Sequence, residues 1–261
     1  MSQSPTLSDL EVMARGAGEI LRAGYGQQFR IKQKGVIDLV TEFDHRSEAY
    51  VLEAIHARFP EHRILAEESG ARGGTTDPIW YVDPLDGTIN YAHGVPIFAV
   101  SIAYAVGDAV QLGVVYDPMR DELYAAQKGG GATLNGGRLQ VSMPVDLDHS
   151  LLVTGFPYDI RTHPQNNLEE YKRLSLHSQG VRRLGSAAID LCYVAAGRFD
   201  GFWELRLNPW DVAAGGLIAQ EAGAIVTHCR GGADYIGPPA SVLAASPAIY
   251  APLLELLNRD A

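Results

Sequence analysis

Cysteine is scarce: Cys192 and Cys229 are the only two in 261 residues. So few thiols exclude a disulfide scaffold and fit a reducing compartment. Long apolar runs are also missing. The longest, Ile97 to Val106, has about ten residues and is interrupted by Ser101, whereas a membrane-spanning helix needs about twenty. No membrane partner is expected. The opening stretch Met1 to Arg15 lacks a basic start followed by an apolar run, so no secretory leader is expected and the cytoplasm is the default setting. Basic charge is in deficit. Lys and Arg total 21 against 31 Asp and Glu, a formal charge of −10, which disfavours nucleic acid as a partner because that affinity comes mostly from cations on phosphates. There is no repeat of 20–50 residues and no low-complexity tract. What the chain does have is apolar material, 46% of residues, enough to bury a core and to argue against disorder.

The pattern along the chain is mixed. Ser8-Asp9-Leu10-Glu11 reads as a capping box opening a helix with Leu10, Met13, Ala17, Ile20 and Leu21 at helical spacing. A second helix is predicted from about Asp44 to Phe59, stopped by Pro60. Ile79 to Val82 is a strand candidate running into Asp83. Phe98 to Val106 and Val110 to Tyr116 are β-prone runs around Gly107-Asp108, and Glu122 to Gln127 adds another, so an antiparallel component is expected. Later segments alternate. Leu151 to Thr154, Phe199 to Leu205 and Ala224 to Cys229 read as strands, and Asn166 to Gln179, Ser186 to Ala196 and Val212 to Glu221 as helices. That alternation predicts layered α/β packing. A division into residues 1–145 and 146–261 is expected near Pro144.

Four acidic clusters carry the chemistry: Asp38 with Asp44, Glu67-Glu68, Asp83-Pro84-Leu85-Asp86-Gly87-Thr88, and Trp210-Asp211. The third is the most informative. Asp83 follows a strand, where ligand sites of α/β sheets tend to lie. Two carboxylates three positions apart on a bend can share a hard divalent cation, and the Gly87 and Thr88 amides can accept a phosphate. Magnesium suits oxygen ligands and bridges to phosphate. Taken singly, the clusters have ordinary readings: Asp44 and Asp211 as helix caps, Glu67-Glu68 as a solvated loop, Asp86-Gly87 as a turn. Cys192 and Cys229 read as small buried hydrophobes. His93, Trp80, Trp203 and Trp210 read as structural.

Jointly the clusters resemble the inositol monophosphatase family, within the lithium-sensitive, magnesium-dependent phosphatase superfamily. The carriers are Asp38-Leu39-Val40-Thr41-Glu42-Phe43-Asp44, Glu67-Glu68-Ser69, Trp80 through Asn90, and Trp210-Asp211-Val212-Ala213-Ala214-Gly215, in family order over essentially the whole chain. The resemblance implies an αβαβα sandwich of the sugar-phosphatase type, with an α+β first part and an α/β second part. It implies hydrolysis of a small phosphate monoester with two to three Mg²⁺ ions. By position, Glu67, Asp83 and the Leu85 carbonyl match one metal site, Asp83, Asp86 and Asp211 a second, and Glu67 a third. Asp44 and Thr88 match the pair that orients the attacking water, and with Glu67 they form the implied catalytic set. Gly87 and Thr88 match phosphate-cradling amides. Ala187, within Gly185-Ser186-Ala187-Ala188, matches a substrate contact, as do Glu204 and Asp211, and Gly155 to Asp159 a pocket rim. A homodimer is also implied.

There are departures. Gln33 stands where a family Lys often lies, so Lys32 or Lys34 is left to serve that role. Ala66 stands where Gly is frequent, and Ile89 where Thr is frequent. The reaction expected is in-line displacement by water without a covalent intermediate, most of it positioning and electrostatics. Inositol monophosphate is the first substrate expected. Fructose-1,6-bisphosphate, histidinol phosphate and 3′-phosphoadenosine 5′-phosphate are alternatives in the same superfamily. A phosphoaspartate mechanism fits poorly because two residues, Pro84 and Leu85, separate Asp83 from Asp86. A non-catalytic phosphate- or metal-binding regulator is the alternative of another class.

Overall fold

The structure is a computed structural model that describes residues 4–28, 31–33, 39–74 and 77–259. Lys34 and Asp38 lie outside the described residues. The chain opens with α1 (Leu7–Gly24), the short antiparallel pair β1 (Ile31–Gln33) and β2 (Leu39–Thr41), and α2 (Glu42–Arg58). Next come β3 (Arg63–Ala66), β4 (Gly70–Gly73), β5 (Ile79–Asp86), α3 (Thr88–Ala92), β6 (Ala99–Val106), β7 (Ala109–Asp117), β8 (Glu122–Gln127), β9 (Gly131–Leu134) and β10 (Gly137–Arg138). The remainder holds β11 (Leu151–Thr154), α4 (Leu168–Ser175), β12 (Gly180–Arg182), α5 (Ala187–Ala195), β13 (Gly201–Leu207), α6 (Pro209–Glu221), β14 (Ile225–Thr227), β15 (Ala240–Ala245) and α7 (Tyr250–Leu257).

Two sheets stack with helices outside and between them. The first runs β10-β9-β8-β7-β6-β5-β3-β4 and is antiparallel except for β3 beside β5. The second runs β12-β11-β13-β15-β14, with β11 parallel to β12 and β13. Side-chain alternation along β6 shows how the layers form. Val100, Ile102 and Tyr104 join the core under α1 and α2, with Leu10, Met13 and Ile55. Ala99, Ala103 and Ala105 join a second core with α5 and α6. The second sheet repeats the device. Phe202, Val242 and Ala244 face α5 and α6, whereas Trp203, Leu243 and Ala245 face Leu174 of α4 and Leu253 of α7. The result is an αβαβα sandwich. Helix α6 is caught between the sheets, so it has no polar face; Ala213, Ala214, Gly215 and Gly216 keep it thin enough to fit.

Several boundaries differ from expectation. Helix α1 is capped by Thr6 and Asp9 rather than Ser8 and Glu11, and the earlier cap lets Asp9 also pair with Arg58. The helix expected to reach Gln179 stops at Ser175, because the Gln179 amide donates to the Ser150 carbonyl and draws the chain into the second sheet. β13 extends to Leu207, and β14 is shorter than the run from Ala224 to Cys229. β15 was not expected from the pattern. All six of its residues are buried, so it lacks the alternation that marks a half-exposed strand. Both cysteines are buried and free, and burial pushes Cys229 up to about 12 and Cys192 well above its ordinary range, as inert core thiols should be. Trp80 and Trp203 are fully buried packing residues. Among the described residues, no helix is long and apolar enough to cross a membrane.

Candidate active site

Asp83 and Asp86 reach one site because β5 is bulged between them. Asp83 pairs with Ser101 and Asp86 with Ala99, so three steps on β5 face two on β6. In a regular strand, residues three apart point to opposite faces; one extra residue restores them to the same face. Pro84 sits in the bulge, where its missing amide costs no ladder bond. The Leu85 amide donates to Asp83 Oδ1 at 3.0 Å, and Ser47 Oγ of α2 donates to the Pro84 carbonyl at 2.8 Å. Glu67 follows β3, its amide donating to the Val82 carbonyl at 3.1 Å, which sets it beside Asp83.

The other carboxylates arrive on helix N-termini. Asp44 is not the cap of α2 but its third residue. Thr41 is the cap, and Asp44 Oδ2 accepts from the Thr41 amide at 2.8 Å and the Thr41 hydroxyl at 2.5 Å. That leaves Asp44 Oδ1 to accept from Thr88 Oγ1 at 2.9 Å. The Thr88 hydroxyl also stands 3.0 Å from the Leu85 carbonyl, so its single proton serves one acceptor at a time. Asp211 is likewise the third residue of α6, accepting from the Asn208 amide at 2.7 Å. Asp86 Oδ2 accepts from Ser186 Oγ at 2.6 Å and the Ala188 amide at 2.7 Å, fastening the start of α5 to the first sheet. Amide dipoles at three helix starts thus face these carboxylates.

Those dipoles do not win. Burial, then Glu67, Asp86 and Asp211, hold Asp83 well above the usual carboxylate range. Burial and Glu67 do the same to Asp211. Burial raises Asp86 to about 6 despite its bonds to Ser186 and α5. Asp44 is raised by burial and partly relieved by Thr41 and Thr88. A cleft lined by Glu67, Asp83, Asp86 and Asp211 that raises its own carboxylates in this way demands a cation or protons. Its donors are all oxygen, which fits a hard divalent ion such as Mg²⁺. Among the described residues, no three His, Cys, Asp or Glu side chains form a closed ligand set. The geometry is a shared acidic cleft rather than a finished coordination shell.

Comparison with known proteins places the chain in a family. A sequence profile of the inositol monophosphatase family matches residues 3–260. The chain belongs to that family. It is 49% identical over 237 residues to an inositol-1-monophosphatase of Synechocystis, covering 87% of this chain and 83% of that protein. It is 42% identical over 259 residues to the Nus factor SuhB of Escherichia coli, covering 98% and 97%. A solved inositol monophosphatase from Anabaena superposes with a TM-score of 0.87 at 44% identity, covering 96% of this chain and 94% of that one. Family members generally depend on a metal ion.

In this family member the opposite wall of the cleft comes from the second sheet. Ala187 begins α5 on the cleft, and Glu204 on β13 is buried there. Burial raises Glu204 to about 8, with Arg183 opposing and Asp86 adding to the shift. Gly155 is packed so tightly on Glu204 that a Cβ would lie 2.1 Å from its Oε2. Two cations on this wall, Arg183 and Arg206, were not found from sequence. Arg183 lies two residues before Gly185 and could have been suspected; Arg206 carried no signal. Lys32 is exposed on β1 and does not line the cleft. His93 is exposed at the end of α3.

Proposed function

We propose that this protein hydrolyses a small phosphate monoester, with inositol monophosphate the first candidate, by direct attack of water on phosphorus. One observation carries the reading: the carboxylates of Glu67, Asp83, Asp86 and Asp211 line the same cleft as the Thr88 hydroxyl, which is bonded to buried Asp44. Two to three Mg²⁺ ions, held by Glu67, Asp83, the Leu85 carbonyl, Asp86 and Asp211, would supply water activation and charge neutralisation at the leaving oxygen. The chain's own residues then position the reaction. Asp44 accepts the Thr88 proton, which leaves a Thr88 lone pair to accept from the attacking water and fix its orientation. The amides of Gly87 and Thr88, at a helix start without intrahelical acceptors, hold the phosphate oxygens. Glu204 and the Ala187 backbone receive the alcohol portion. Water's oxygen bonds to phosphorus as the ester P–O bond breaks; one proton of that water stays on the phosphate and the other ends on the departing oxygen, which leaves as the alcohol, and phosphorus inverts. In this reading residues 1–145 carry most of the reactive wall, and residues 146–261 carry the selective wall and Asp211.

The test is phosphate release from inositol monophosphate, fructose-1,6-bisphosphate, histidinol phosphate and 3′-phosphoadenosine 5′-phosphate, each with and without Mg²⁺ and Li⁺. Mg²⁺-dependent, Li⁺-inhibited release with a preference for the inositol ester is the expected result. A large preference for another ester would transfer the assignment to it. Working as a cytoplasmic homodimer belongs to the same reading, and sedimentation checks the dimer. The relatives named Nus factor SuhB favour a second reading, in which this chain also acts as a Nus factor through a partner. A transcription assay with catalytically dead protein would separate the two.

A further inference from the structure

β13 is bulged as well, and its bulge holds a residue in an uncommon backbone state. The pairing with β15 shifts between Glu204 and Leu207. Inside that shift Arg206 has φ of 61°, the left-handed region that a non-glycine residue enters only at a cost. Such outliers persist where the surroundings hold them, often at binding sites. Here the holder is visible. Arg206 Nη2 donates to Asp159 Oδ2 at 2.6 Å and its Nε to Oδ1 at 3.4 Å, a forked pair with both side chains partly exposed. Asp159 ends the segment Gly155 to Asp159, and Phe156, Pro157 and Tyr158 of that segment line the cleft together with Arg206 and Glu204. The segment is therefore tied to β13 at both ends: at Gly155 by contact with Glu204, and at Asp159 by Arg206. The turn that follows is fastened to it: the Ile160 amide donates to the Pro157 carbonyl, and the Thr162 and His163 amides to the Asp159 carbonyl.

We infer that Arg206 is a positioning residue for substrate selection: its pair with Asp159 latches the 156–158 rim over the alcohol portion of the ester, beside Glu204. This rests on the phosphate-ester reading of the cleft. Arg206 does not touch the reacting atoms, so its loss alters how the alcohol is held and leaves the displacement step alone.

The test uses Arg206→Gly, Asp159→Asn and the charge-swapped double variant Arg206→Asp/Asp159→Arg. Glycine relieves the left-handed backbone and aspartate tolerates it, so folding survives. Two measurements are made on the full chain: hydrogen exchange at residues 160–163 without substrate, and kcat and KM for inositol monophosphate and phenyl phosphate. Exchange should quicken in both single variants. KM for the inositol ester should rise roughly fivefold, the scale of a partly exposed forked ion pair, with kcat unchanged and phenyl phosphate unaffected. The double variant should recover part of both effects. Unchanged exchange in the single variants, or equal KM losses for the two esters, would overturn the latch. If the parent protein released phosphate from no ester, the phosphate-ester reading would fall, and quickened exchange would still support the latch.

Discussion

Gly155→Ala isolates selection from chemistry. The Gly155 carbonyl accepts from Asn167 Nδ2 at 2.6 Å, and fully buried Asn167 also accepts from Trp203 Nε1 at 2.6 Å, so the backbone at Gly155 is pinned. A Cβ there would meet Glu204 Oε2, Oε1 and Cδ at 2.1, 2.2 and 2.3 Å. The closest contact must open from 2.1 Å to at least 3.0 Å. The Glu204 carboxyl, the free end of a flexible side chain, therefore moves by about 0.9 Å. Misplacement on that scale removes the hydrogen bond that Glu204 makes to the alcohol portion and costs about 10- to 100-fold. The expected result is that kcat/KM for inositol monophosphate falls by about that factor, while kcat/KM for phenyl phosphate stays within about twofold. Gly155 is not in the left-handed region, so alanine suits the backbone and the melting temperature should hold within a few degrees. Equal losses on both esters would refute the assignment of Glu204 as a selector.

Three further outcomes are expected. Asp83→Asn should abolish Mg²⁺-dependent turnover yet raise the melting temperature of metal-free protein, because it removes one of several carboxylates that repel each other; calorimetry without denaturant shift between parent and variant would contradict that repulsion. Thr88→Ala should lower kcat by about 100- to 10,000-fold while Thr88→Ser, which keeps the hydroxyl facing Asp44, stays near the parent; stopped assays of phosphate release decide it. Glu204 is raised by burial from 4.5 to about 8, so the folded state keeps a proton that the unfolded chain has lost. Its contribution to stability is thus lost as pH rises from about 4.5 to about 8, by at most about 1.4 kcal/mol per pH unit. Denaturant titrations of metal-free Glu204→Gln should show a flatter slope across that range than the parent does.

The acidic wall was legible in its central part because that part is local, and the remainder only through the joint pattern of four distant clusters. Asp83 to Thr88 is one contiguous bend, and the strand before it and the turn after it carry their own signals. Taken singly, Asp44 and Asp211 read as helix caps for a specific reason. Thr41-x-x-Asp44 and Asn208-x-x-Asp211 both fit a capping box read one turn earlier. In that box the acid sits third, with one oxygen engaged by the cap and the other free for the cleft. At α1 the same ambiguity between Thr6/Asp9 and Ser8/Glu11 was settled by a distant partner, Arg58, which no local rule contains. β15 was missed because burial on both faces erases the period-two pattern.

The selective wall was only partly legible, and the obstacle was long-range geometry. Glu204 is singled out by the family resemblance, but what confines it is Gly155, 49 residues earlier in sequence and its neighbour only because β11 lies parallel to β13. Arg206 is the sharper case. Its residue type gives no hint of a left-handed backbone; the register shift against β15 imposes it, and that shift depends on a strand invisible to periodicity. The two sheets thus use one device to different ends. A bulge in β5 brings two carboxylates to the same face, and a bulge in β13 sets Glu204 and Arg206 on the opposite wall of the cleft; in the proposed function the first wall serves metal-dependent chemistry and the second receives the alcohol portion. Since the bulges lie in separate sheets joined through α5 and α6, substitutions in the second can alter which ester is held without moving Asp83 or Asp86. Relatives sharing the first wall would then differ in substrate through changes near positions 155, 159 and 206.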